Sequence, residues 1–403
     1  MHLEGIRVVQ TATILAGPMA ARLLADWGAD VILIEHPERS DILRGTGYVP
    51  VSRAIVSNIN YRAENTNRNK RAMTLDLSQE NGRKIICKLL DRADVFLSNF
   101  RPRELKKFDL EYDTLNKSNP RLICANIDGF GKKGPDKDLP ATEYTAYFAR
   151  SGILHALQLP GSAPVENPRG FGDHVVGLAL AYGIMTALYM REKTGRGQEV
   201  NVSLFNTAIF ALSDDIAGSL VTGQDRQAVE RQDIDDALHT SYQTKDRKWL
   251  RLGLGLNADL YWSQFCQAID RNELENDPRF DSFKPRLDNH FALFSILEDV
   301  FQSKTLSEWR DRLNKNGIAW APVQSFPDVT ADHQARANDF FIPYDHPTYG
   351  RIELIANPVK LSDVPECIRT PAPEFNQHTE GILLELGYSW GDIEQFKEQG
   401  VIA

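Results

Sequence analysis

The beginning of the chain contains a strand–helix–strand pattern, and this pattern restricts the fold more than any other feature. Runs rich in β-branched residues at 6–9 and 31–34 predict two strands. The segment between them has Pro18 near its start and Gly28 at its end, which is typical of a helix. Strands joined by such a helix run parallel, so the sequence predicts the α/β class with a helix-covered, Rossmann-like parallel sheet.

Similar patterns return further along the chain. Residues 82–94 predict an amphipathic helix that leads into a strand at 95–98, and residues 121–131 predict another strand that ends in glycines. Functional groups of open α/β sheets gather at the carboxyl ends of the strands. We therefore expect one ligand-binding crevice, formed by the loops at 11–18, 35–41, 99–103 and 128–135.

A change of composition marks a second, smaller unit in the middle of the chain. Residues 223–238 are polar and carry no apolar period, which is typical of a linker. Helices are predicted beyond it near 261–268, 291–302 and 306–316. Residues 253–258 (GLGLNA) match the G-x-G-x-x-A form of a dinucleotide fingerprint, but a polar turn follows where the second strand of that motif should stand. We therefore do not expect nucleotide binding there.

The net charge and the cysteines disfavour several kinds of partner. A formal charge of -9 and a pI near 5.6 disfavour nucleic acid and anionic membranes, because clustered Lys and Arg bind phosphate groups. The four cysteines are far apart and have no histidine at metal-ligand spacing, so we expect reduced thiols and no metal site. The longest uncharged helical run, 175–190, is too short and glycine-interrupted for a membrane span, and no signal peptide is recognisable. We expect a cytoplasmic protein without a membrane or nucleic-acid partner.

One carboxylate, Asp173, stands directly after Gly170-Phe171-Gly172 and shortly before the uncharged run. Aspartate is a favoured N-cap of helices, because its side chain accepts a hydrogen bond from an otherwise unpaired N–H of the first turn. The two glycines favour a second interpretation, since residues without a Cβ let a backbone or a ligand approach closely. From this stretch alone, Asp173 is either a helix cap or a catalytic nucleophile.

Three common catalytic motifs are absent from the sequence. It contains no G-x-x-x-x-G-K-[ST] phosphate loop, no G-x-S-x-G nucleophile elbow and no H-E-x-x-H zinc helix. ATP-driven ligation, elbow-type serine hydrolysis and zinc peptidase chemistry are therefore disfavoured. A reaction that conserves the energy of its substrate bond needs none of these devices, and exchange of a thioester between two acids is such a reaction.

Several stretches together resemble the class III CoA-transferases, also called the CaiB/BaiF or formyl-CoA transferase family. They follow the family order across nearly the whole chain. The stretches are LAGPMAARLLADWGADVILIE, NRNKRAMTLDL, ADVFLSNFRP, GFGKKGPDKDLPATEYTAYFARSG, GFGDH, YMREKTGRGQEVNVSL and LLELGYSWGDIEQFKEQGV. The fourth and fifth are most similar to the branch that acts on (R)-phenyllactate and (R)-2-hydroxyisocaproate.

The resemblance implies that Asp173 is the nucleophile. In the family the corresponding aspartate attacks the acyl-CoA carbonyl, and a mixed anhydride and then an aspartyl-CoA thioester follow. The acceptor carboxylate finally takes the CoA. We expect a helix N-terminus at Asp173 to keep its carboxylate ionised and to offer N–H groups to developing oxyanions, while the neighbouring glycines leave room for the thioester.

Glu143 bears on which reaction the family fold carries out here. The acyl-CoA racemases resemble this chain in the fold and in the Gly-Asp pair, and this resemblance places their catalytic histidine where this chain has Glu143. A racemase needs groups that exchange a proton at one carbon, for which histidine is well suited. Glu143 therefore favours CoA transfer, with a role in positioning Asp173 or the acceptor. An acyl-CoA racemase and a non-catalytic acyl-CoA-binding protein are the alternatives.

The resemblance also places the CoA contacts at the strand-end loops. It implies that a CoA thioester is a co-substrate and that no cofactor is permanently bound. His36 stands where the family has an arginine, and the basic run at 68–71 is either a solvated turn or a CoA-facing segment. The CoA-binding candidates are Leu15, Ala16, His36, Asn99, Phe100, Arg103 and Lys107.

The family architecture implies a large CoA-binding domain built from both ends of the chain and a small α+β central domain. It also implies that two subunits form an interlocked homodimer, and that the substrates are an acyl-CoA and a carboxylic acid. The predicted boundaries are 1–222 and 346–403 for the large domain, 239–325 for the small domain, and 223–238 and 326–345 for the linkers.

Overall fold

The computed structural model describes residues 2–44, 59–226, 228–363 and 367–403. The chain divides into two compact units, each with its own hydrophobic core. The larger unit comprises Met1–Ala156, Val165–Arg226 and Arg336–Ala403, and the smaller unit comprises Leu157–Pro164 and Gln227–Ala335.

A six-stranded parallel sheet forms the centre of the larger unit. Its strands are β1 (Arg7–Gln10), β2 (Asp30–Glu35), β3 (Lys70–Thr74), β4 (Val95–Ser98), β5 (Ile123–Asp128) and β6 (Glu199–Ser203). They pair in the order β3-β2-β1-β4-β5-β6, and every pair is parallel. In this Rossmann order the direction of winding reverses between β1 and β4. The predicted α/β class and parallel sheet are confirmed, although the sequence patterns predict neither β3 nor β6.

Helices cover both faces of the sheet. Helices α1 (Ala16–Asp26) and α7 (Phe171–Thr194) pack on one face, and α3 (Glu80–Leu90) packs on the other. The other helices in this part of the chain are α2 (Tyr61–Asn67), α4 (Pro102–Lys107), α5 (Tyr112–Ser118), α6 (Ile153–Leu157), α8 (Leu204–Ala211) and α9 (Ser213–Thr222). Neighbouring residues of a strand point to opposite faces, so Val8 lies in the core that α1 and α7 line, while Val9 lies in the core that α3 lines. Both side chains are fully buried, which explains why the central strands read as continuous apolar runs.

The smaller unit combines an antiparallel sheet with helices. Its strands β7 (Ser241–Gln243), β8 (Trp249–Leu252) and β9 (Trp320–Pro322) pair in that order. Its helices are α10 (Ala258–Ala268), α11 (Phe283–Asp288), α12 (His290–Gln302), α13 (Leu306–Lys315), α14 (Phe326–Ala331) and, at its end, α15 (His333–Ala337). The three predicted helices are confirmed as α10, α12 and α13. The glycine fingerprint at 253–258 follows a strand of an antiparallel sheet and so lacks the parallel context of a dinucleotide site.

The C-terminal segment belongs to the larger unit again. Strands β10 (Phe341–His346) and β11 (Gly350–Ile355) form an antiparallel hairpin, and helices α16 (Thr379–Glu385) and α17 (Trp390–Glu398) follow. Ile382 and Ile393 of these helices pack in the same core as Val9. The predicted C-terminal helix pair is therefore confirmed, and it packs on the face of the sheet that α3 also covers.

The basic run at 68–71 is largely buried in the larger unit. Arg68 is fully buried and donates two hydrogen bonds to the carboxylate of Asp26, at 3.1 and 3.0 Å. Lys70 is also buried, and its Nζ donates to Gln10 Oε1, Pro18 O and Asn67 Oδ1 at 2.8 to 2.9 Å. Both interpretations offered by the sequence, a solvated turn and a CoA-facing segment, are therefore wrong for these two side chains.

Helix α7 is longer than the uncharged run within it. It has 24 residues and a mean hydropathy of 1.4 over its most apolar window, and among the described residues it is the one single helix with the length and composition of a membrane span. The bent pair α8–α9 passes the same test only if its two helices are counted as one span. The prediction of a run too short for a span concerned residues 175–190 alone, and the complete helix extends beyond that run at both ends. Val176, Leu180 and Ile184 are fully buried in the core of the larger unit, which explains part of this apolar character.

Candidate active site

The loops that follow β1 and β4 meet where the sheet reverses its winding. Asn99 Oδ1 accepts a hydrogen bond from Thr13 N at 3.3 Å, and Asn99 Nδ2 donates to Thr13 O at 3.2 Å. Ile14 has a φ of +71°, which is strained for a β-branched residue. Its N–H donates to Oδ2 of the buried Asp41 at 2.8 Å. Two side chains therefore fix the loop that leads into α1, at the place where α/β sheets bind ligands.

The start of α1 lies beside the start of α7. A Cβ added to Gly177 would lie 2.8 Å from Ala16 O, and a Cβ added to Gly170 would lie 3.2 Å from Leu15 Cδ1. Leu15 and Ala16, which are CoA-binding candidates, therefore lie beside the turn that carries Asp173. We call residues 170–173 the α7 mouth.

A second carboxylate, Glu143, occupies the α7 mouth. Its Oε1 accepts a hydrogen bond from Gly170 N at 2.5 Å, and its Oε2 accepts from Gly172 N at 3.0 Å and from Asp173 N at 3.3 Å. Glu143 is only 4% exposed, so these N–H groups are its main source of compensation for burial. Asp173 stands in the first turn of α7, and no side chain of the helix makes a local cap hydrogen bond there. Of the two interpretations of Asp173, the helix cap is therefore wrong, because Glu143 serves as the cap.

Glu143 begins a π-helical turn, Glu143–Ala149. Such turns are rare in proteins as a whole, and many of those that occur lie at functional sites. Tyr147 of this turn is buried, and a Cβ added to Gly172 would lie 2.7 Å from atoms of its ring. The prediction that the glycines leave room for a thioester is therefore wrong at Gly172, because the ring of Tyr147 fills that space.

Burial raises the pKa of Asp173 to about 7, and the charge of Glu143 contributes to the rise. The N-terminus of α7 does not offset this effect, since its N–H groups serve Glu143. The prediction that the helix keeps Asp173 fully ionised at pH 7 is therefore wrong, and these N–H groups are not free to bind oxyanions. A pKa this far from the ordinary value is common for groups that take part in catalysis.

The other CoA-binding candidates follow β2 and β4 at the same edge of the sheet. His36 comes directly after β2, and its Nε2 lies 3.6 Å from Asp76 Oδ1. Phe100 comes shortly after β4 and is partly buried. Arg103 and Lys107 are exposed on α4, and their spacing of four residues brings them to one face of that helix. The fold thus brings all the candidate CoA contacts to the carboxyl edge of the sheet or to the helices that begin there.

Sequence reasoning misses two residues that shape this site. Asp41 ends the predicted strand-end loop at 35–41, and a carboxylate in such a loop is a signal that could have identified it. Tyr147 stands four residues after Glu143, a spacing that brings two side chains close together on a helix.

The described residues contain no metal-binding group of side chains, and the buried thiol of Cys124 is not reactive at neutral pH. In the described parts of the chain, no group of three His, Cys, Asp or Glu side chains could hold a metal ion. Burial raises the pKa of the Cys124 thiol to about 12, so this cysteine is a poor nucleophile at neutral pH. The reactive groups that the site does present are the two carboxylates at the α7 mouth.

Comparisons with known proteins identify the family. The sequence model of CoA-transferase family III matches residues 3–379. The chain is 35% identical to the (R)-2-hydroxy-4-methylpentanoate CoA-transferase of Clostridioides difficile, with 100% of both chains covered. It is 34% identical to the cinnamoyl-CoA:phenyllactate CoA-transferase of Clostridium sporogenes, over 98% of this chain and 96% of that protein. The crystal structure of a CAIB/BAIF family protein from Brucella suis, 29% identical, matches with a TM-score of 0.81 over 95% of this chain and 99% of that one. The chain therefore belongs to CoA-transferase family III, as its motifs predict.

Proposed function

We propose that this protein moves CoA from an acyl-CoA thioester to a carboxylic acid, with Asp173 as the covalent carrier. The observation that carries the proposal is the position of Asp173, a partly buried carboxylate with a pKa near 7 at the point where α1 and α7 begin side by side. A nucleophile must be held close to the carbonyl that it attacks, and two packed helices hold this one. The family membership supplies the reaction class.

In this proposal the ionised carboxylate of Asp173 attacks the donor thioester carbonyl, the C–S bond breaks, and CoA leaves as a thiolate. The thiolate attacks Cγ of Asp173 in the mixed anhydride and releases the donor acid as its carboxylate. The acceptor carboxylate then attacks the aspartyl-CoA thioester, and the released thiolate attacks the acyl carbonyl of the new anhydride, which frees Asp173. One thioester forms for each that is broken, and no net proton transfer occurs, so no outside energy source is needed.

CoA is assigned to the carboxyl edge of the sheet, at the reversal between β1 and β4. Apolar side chains and a fixed amide suit the pantetheine, whereas basic side chains on α4 suit phosphate groups. The residues assigned to CoA are Leu15, Ala16, His36, Asn99, Phe100, Arg103 and Lys107.

We propose that the acceptor acid is an (R)-2-hydroxy acid. Two relatives that match nearly the whole chain are named for 2-hydroxy-4-methylpentanoate and for phenyllactate. Exchange assays with these two acids, and with malate and oxalate as competitors of different shape, would rank the acceptors. We expect at least one of the two hydroxy acids to give the highest kcat/KM, and a preference for oxalate over both would overturn this assignment.

Trapping tests the covalent step. The protein is incubated with (R)-2-hydroxy-4-methylpentanoyl-CoA without free acid and is then treated with hydroxylamine, which converts an aspartyl anhydride or thioester to a hydroxamate. We expect peptide mass spectrometry to find the hydroxamate on Asp173 and on no other residue. Protein treated with hydroxylamine alone is the control. An unmodified Asp173 in a preparation that turns over this substrate would overturn the carrier role.

The same materials separate the transferase from its alternatives. A protein that only binds acyl-CoA would leave the peptide masses unchanged. A racemase would exchange the α-hydrogen of the acyl group with deuterium from the solvent without any acid present, and we expect no such exchange. Glu143 supports this expectation, since its carboxylate is engaged by N–H groups of the α7 mouth.

The subunit arrangement proposed here is an interlocked homodimer. Tyr182 and Tyr189 of α7, Phe210 of α8, and Leu220 and Val221 of α9 are between 61% and 86% exposed. Monomeric proteins rarely expose large contiguous apolar surfaces. A second subunit threaded against these helices would cover their apolar side chains.

Subunit exchange distinguishes an interlocked dimer from an ordinary one. We expect light scattering to give twice the chain mass of 45.4 kDa. Tagged and untagged dimers should not mix while folded, because interlocked chains separate only on unfolding, and mixed dimers should form after joint unfolding and refolding. Mixing of the folded dimers would exclude interlocking, and a mass of 45.4 kDa would exclude the dimer.

A further inference from the structure

The α7 mouth presents an electrostatic problem for the proposed reaction. Glu143 Oε2 lies 3.3 Å from Asp173 N, and the charge of Glu143, after burial, raises the pKa of the Asp173 carboxyl, so two carboxylates share the α7 mouth. The acceptor acid must approach this place as a carboxylate, and the donor acid must leave it as one. Like charges repel strongly in a partly buried site, so a cation is needed near Asp173 to hold the acid.

The sequence supplies one arginine at this position. Among residues 151–190, Arg169 is the only Arg or Lys. It directly precedes Gly170, whose N–H donates to Glu143 at 2.5 Å. Its side chain is exposed, and its backbone directly precedes the α7 mouth.

Tyr144 shows that the charges converge. It follows Glu143 on the π-helical turn and is 45% exposed. Burial raises the pKa of its phenol, Glu143 and Asp173 raise it further, and Arg169 and Arg62 lower it. The charge of Arg169 therefore acts at the same phenol as the charges of Glu143 and Asp173, which agrees with its place in the chain next to Gly170.

We propose that Arg169 binds the carboxylate of the acid substrate and holds it against Asp173. A guanidinium group donates two parallel N–H bonds to a carboxylate, which fixes both its position and its orientation. This inference rests on the proposed function, because only a transferase must bind a free acid at this place. It assigns acid recognition to the segment before α7, and CoA recognition to the strand-end loops.

An exchange assay isolates acid binding. The protein is incubated with (R)-2-hydroxy-4-methylpentanoyl-CoA and the isotope-labelled free acid, and the label that enters the thioester is measured. We expect Arg169→Ala to raise the KM for the acid by about 10- to 100-fold, as for the loss of a charge-assisted hydrogen bond, with a smaller effect on the KM for the thioester. Arg169→Lys keeps the charge and should recover part of the acid affinity.

A matched control and a second readout make the result decisive. Arg196 is exposed beyond the other end of α7, and Arg196→Ala should leave both KM values unchanged. Trapping of Asp173 with acyl-CoA and hydroxylamine needs no free acid, so it should remain in Arg169→Ala. If the wild-type protein is not trapped, the proposed function itself fails. If the wild type is trapped and Arg169→Ala leaves the KM for the acid unchanged, only the role of Arg169 is refuted.

Discussion

Asp173→Asn is expected to lower CoA transfer by about 10⁴-fold or more and to leave the protein folded. Asparagine has the shape of aspartate, but its neutral amide cannot attack a thioester to form an anhydride. The same loss is expected for Asp173→Ala, which removes the group entirely. Label exchange between acid and acyl-CoA measures the loss, and circular dichroism confirms the fold.

A matched control for this change is Asp113→Asn, at an exposed aspartate in the first turn of α5. It removes one carboxylate from a helix N-terminus outside the α7 mouth and should keep full activity. Near-normal turnover by either Asp173 variant would refute the assignment of the nucleophile.

Asp173→Asn should also stabilise the protein at alkaline pH. The pKa of Asp173 is about 7 in the folded protein and near the ordinary 3.8 when the chain is unfolded. The folded state therefore binds this proton more tightly, and stability falls as pH rises from about 4 to about 7. Asparagine has no proton to lose, so the melting temperature of Asp173→Asn relative to wild type should increase over that range and stay high at pH 8. A melting temperature below that of wild type at pH 8 would contradict the burial that raises this pKa.

The sequence predicts the centre of the fold because its physical signals are local. Buried parallel strands read as short, mainly apolar runs, and the sequence predicts β1, β2, β4 and β5 from such runs. The other two strands carry weaker signals. β3 begins with two basic residues, and β6 alternates polar and apolar residues as an edge strand does.

Both interpretations of the basic run at 68–71 are wrong for Arg68 and Lys70, because the hydrogen-bond partners of these residues are distant in sequence. Arg68 is neutralised by Asp26, which is 42 residues away, and Lys70 finds an acceptor on Gln10, 60 residues away. A charged run is ordinarily solvated, and only the tertiary fold shows that Arg68 pairs with a buried carboxylate and that Lys70 Nζ has neutral acceptors inside the protein.

The sequence predicts the position of the candidate site. It does not predict the pKa of Asp173 or the partner of the N–H groups at the start of α7. Motifs and a helix-start pattern identify Asp173, and they predict a carboxylate that the helix N-terminus keeps ionised. That prediction fails because Glu143, 30 residues earlier, takes the N–H groups on which it depended. Local patterns reveal which groups a helix end offers, whereas tertiary contacts decide which side chain receives them.

Burial and, after it, the charge of Glu143 raise the pKa of Asp173, so Glu143 should contribute to the pH dependence of the enzyme, and Glu143→Gln tests this. Only ionised Asp173 attacks the thioester, so kcat/KM of the wild type should rise with pH through an apparent pKa of about 7. The glutamate charge contributes to that high pKa, and glutamine removes it while keeping the size of the side chain. The rising limb of the profile should move to lower pH in Glu143→Gln.

Glu143→Ala should have a larger effect, because it also leaves the buried N–H groups of Gly170 and Gly172 without their acceptor. An unsatisfied buried donor costs about 1–3 kcal/mol, so the free energy of unfolding should fall by at least that amount. Displacement of the α7 mouth should lower kcat/KM by about 10²-fold, equivalent to about 2.7 kcal/mol of transition-state stabilisation. Denaturant unfolding and exchange kinetics from about pH 5.5 to about pH 9 measure both effects.

The contrast between the two variants decides what Glu143 does. If it acts only as a cap, glutamine should retain part of the stability and leave the pH profile unmoved, since one amide oxygen still accepts a hydrogen bond. If its charge raises the pKa of Asp173, the rising limb of the pH profile should move to lower pH in Glu143→Gln, even if this variant keeps nearly full activity at high pH. Glu192→Gln removes an exposed carboxylate near the other end of α7 and should change neither quantity. An unmoved profile in Glu143→Gln would show that burial alone raises the pKa of Asp173, and Glu143 would then be left with the structural role.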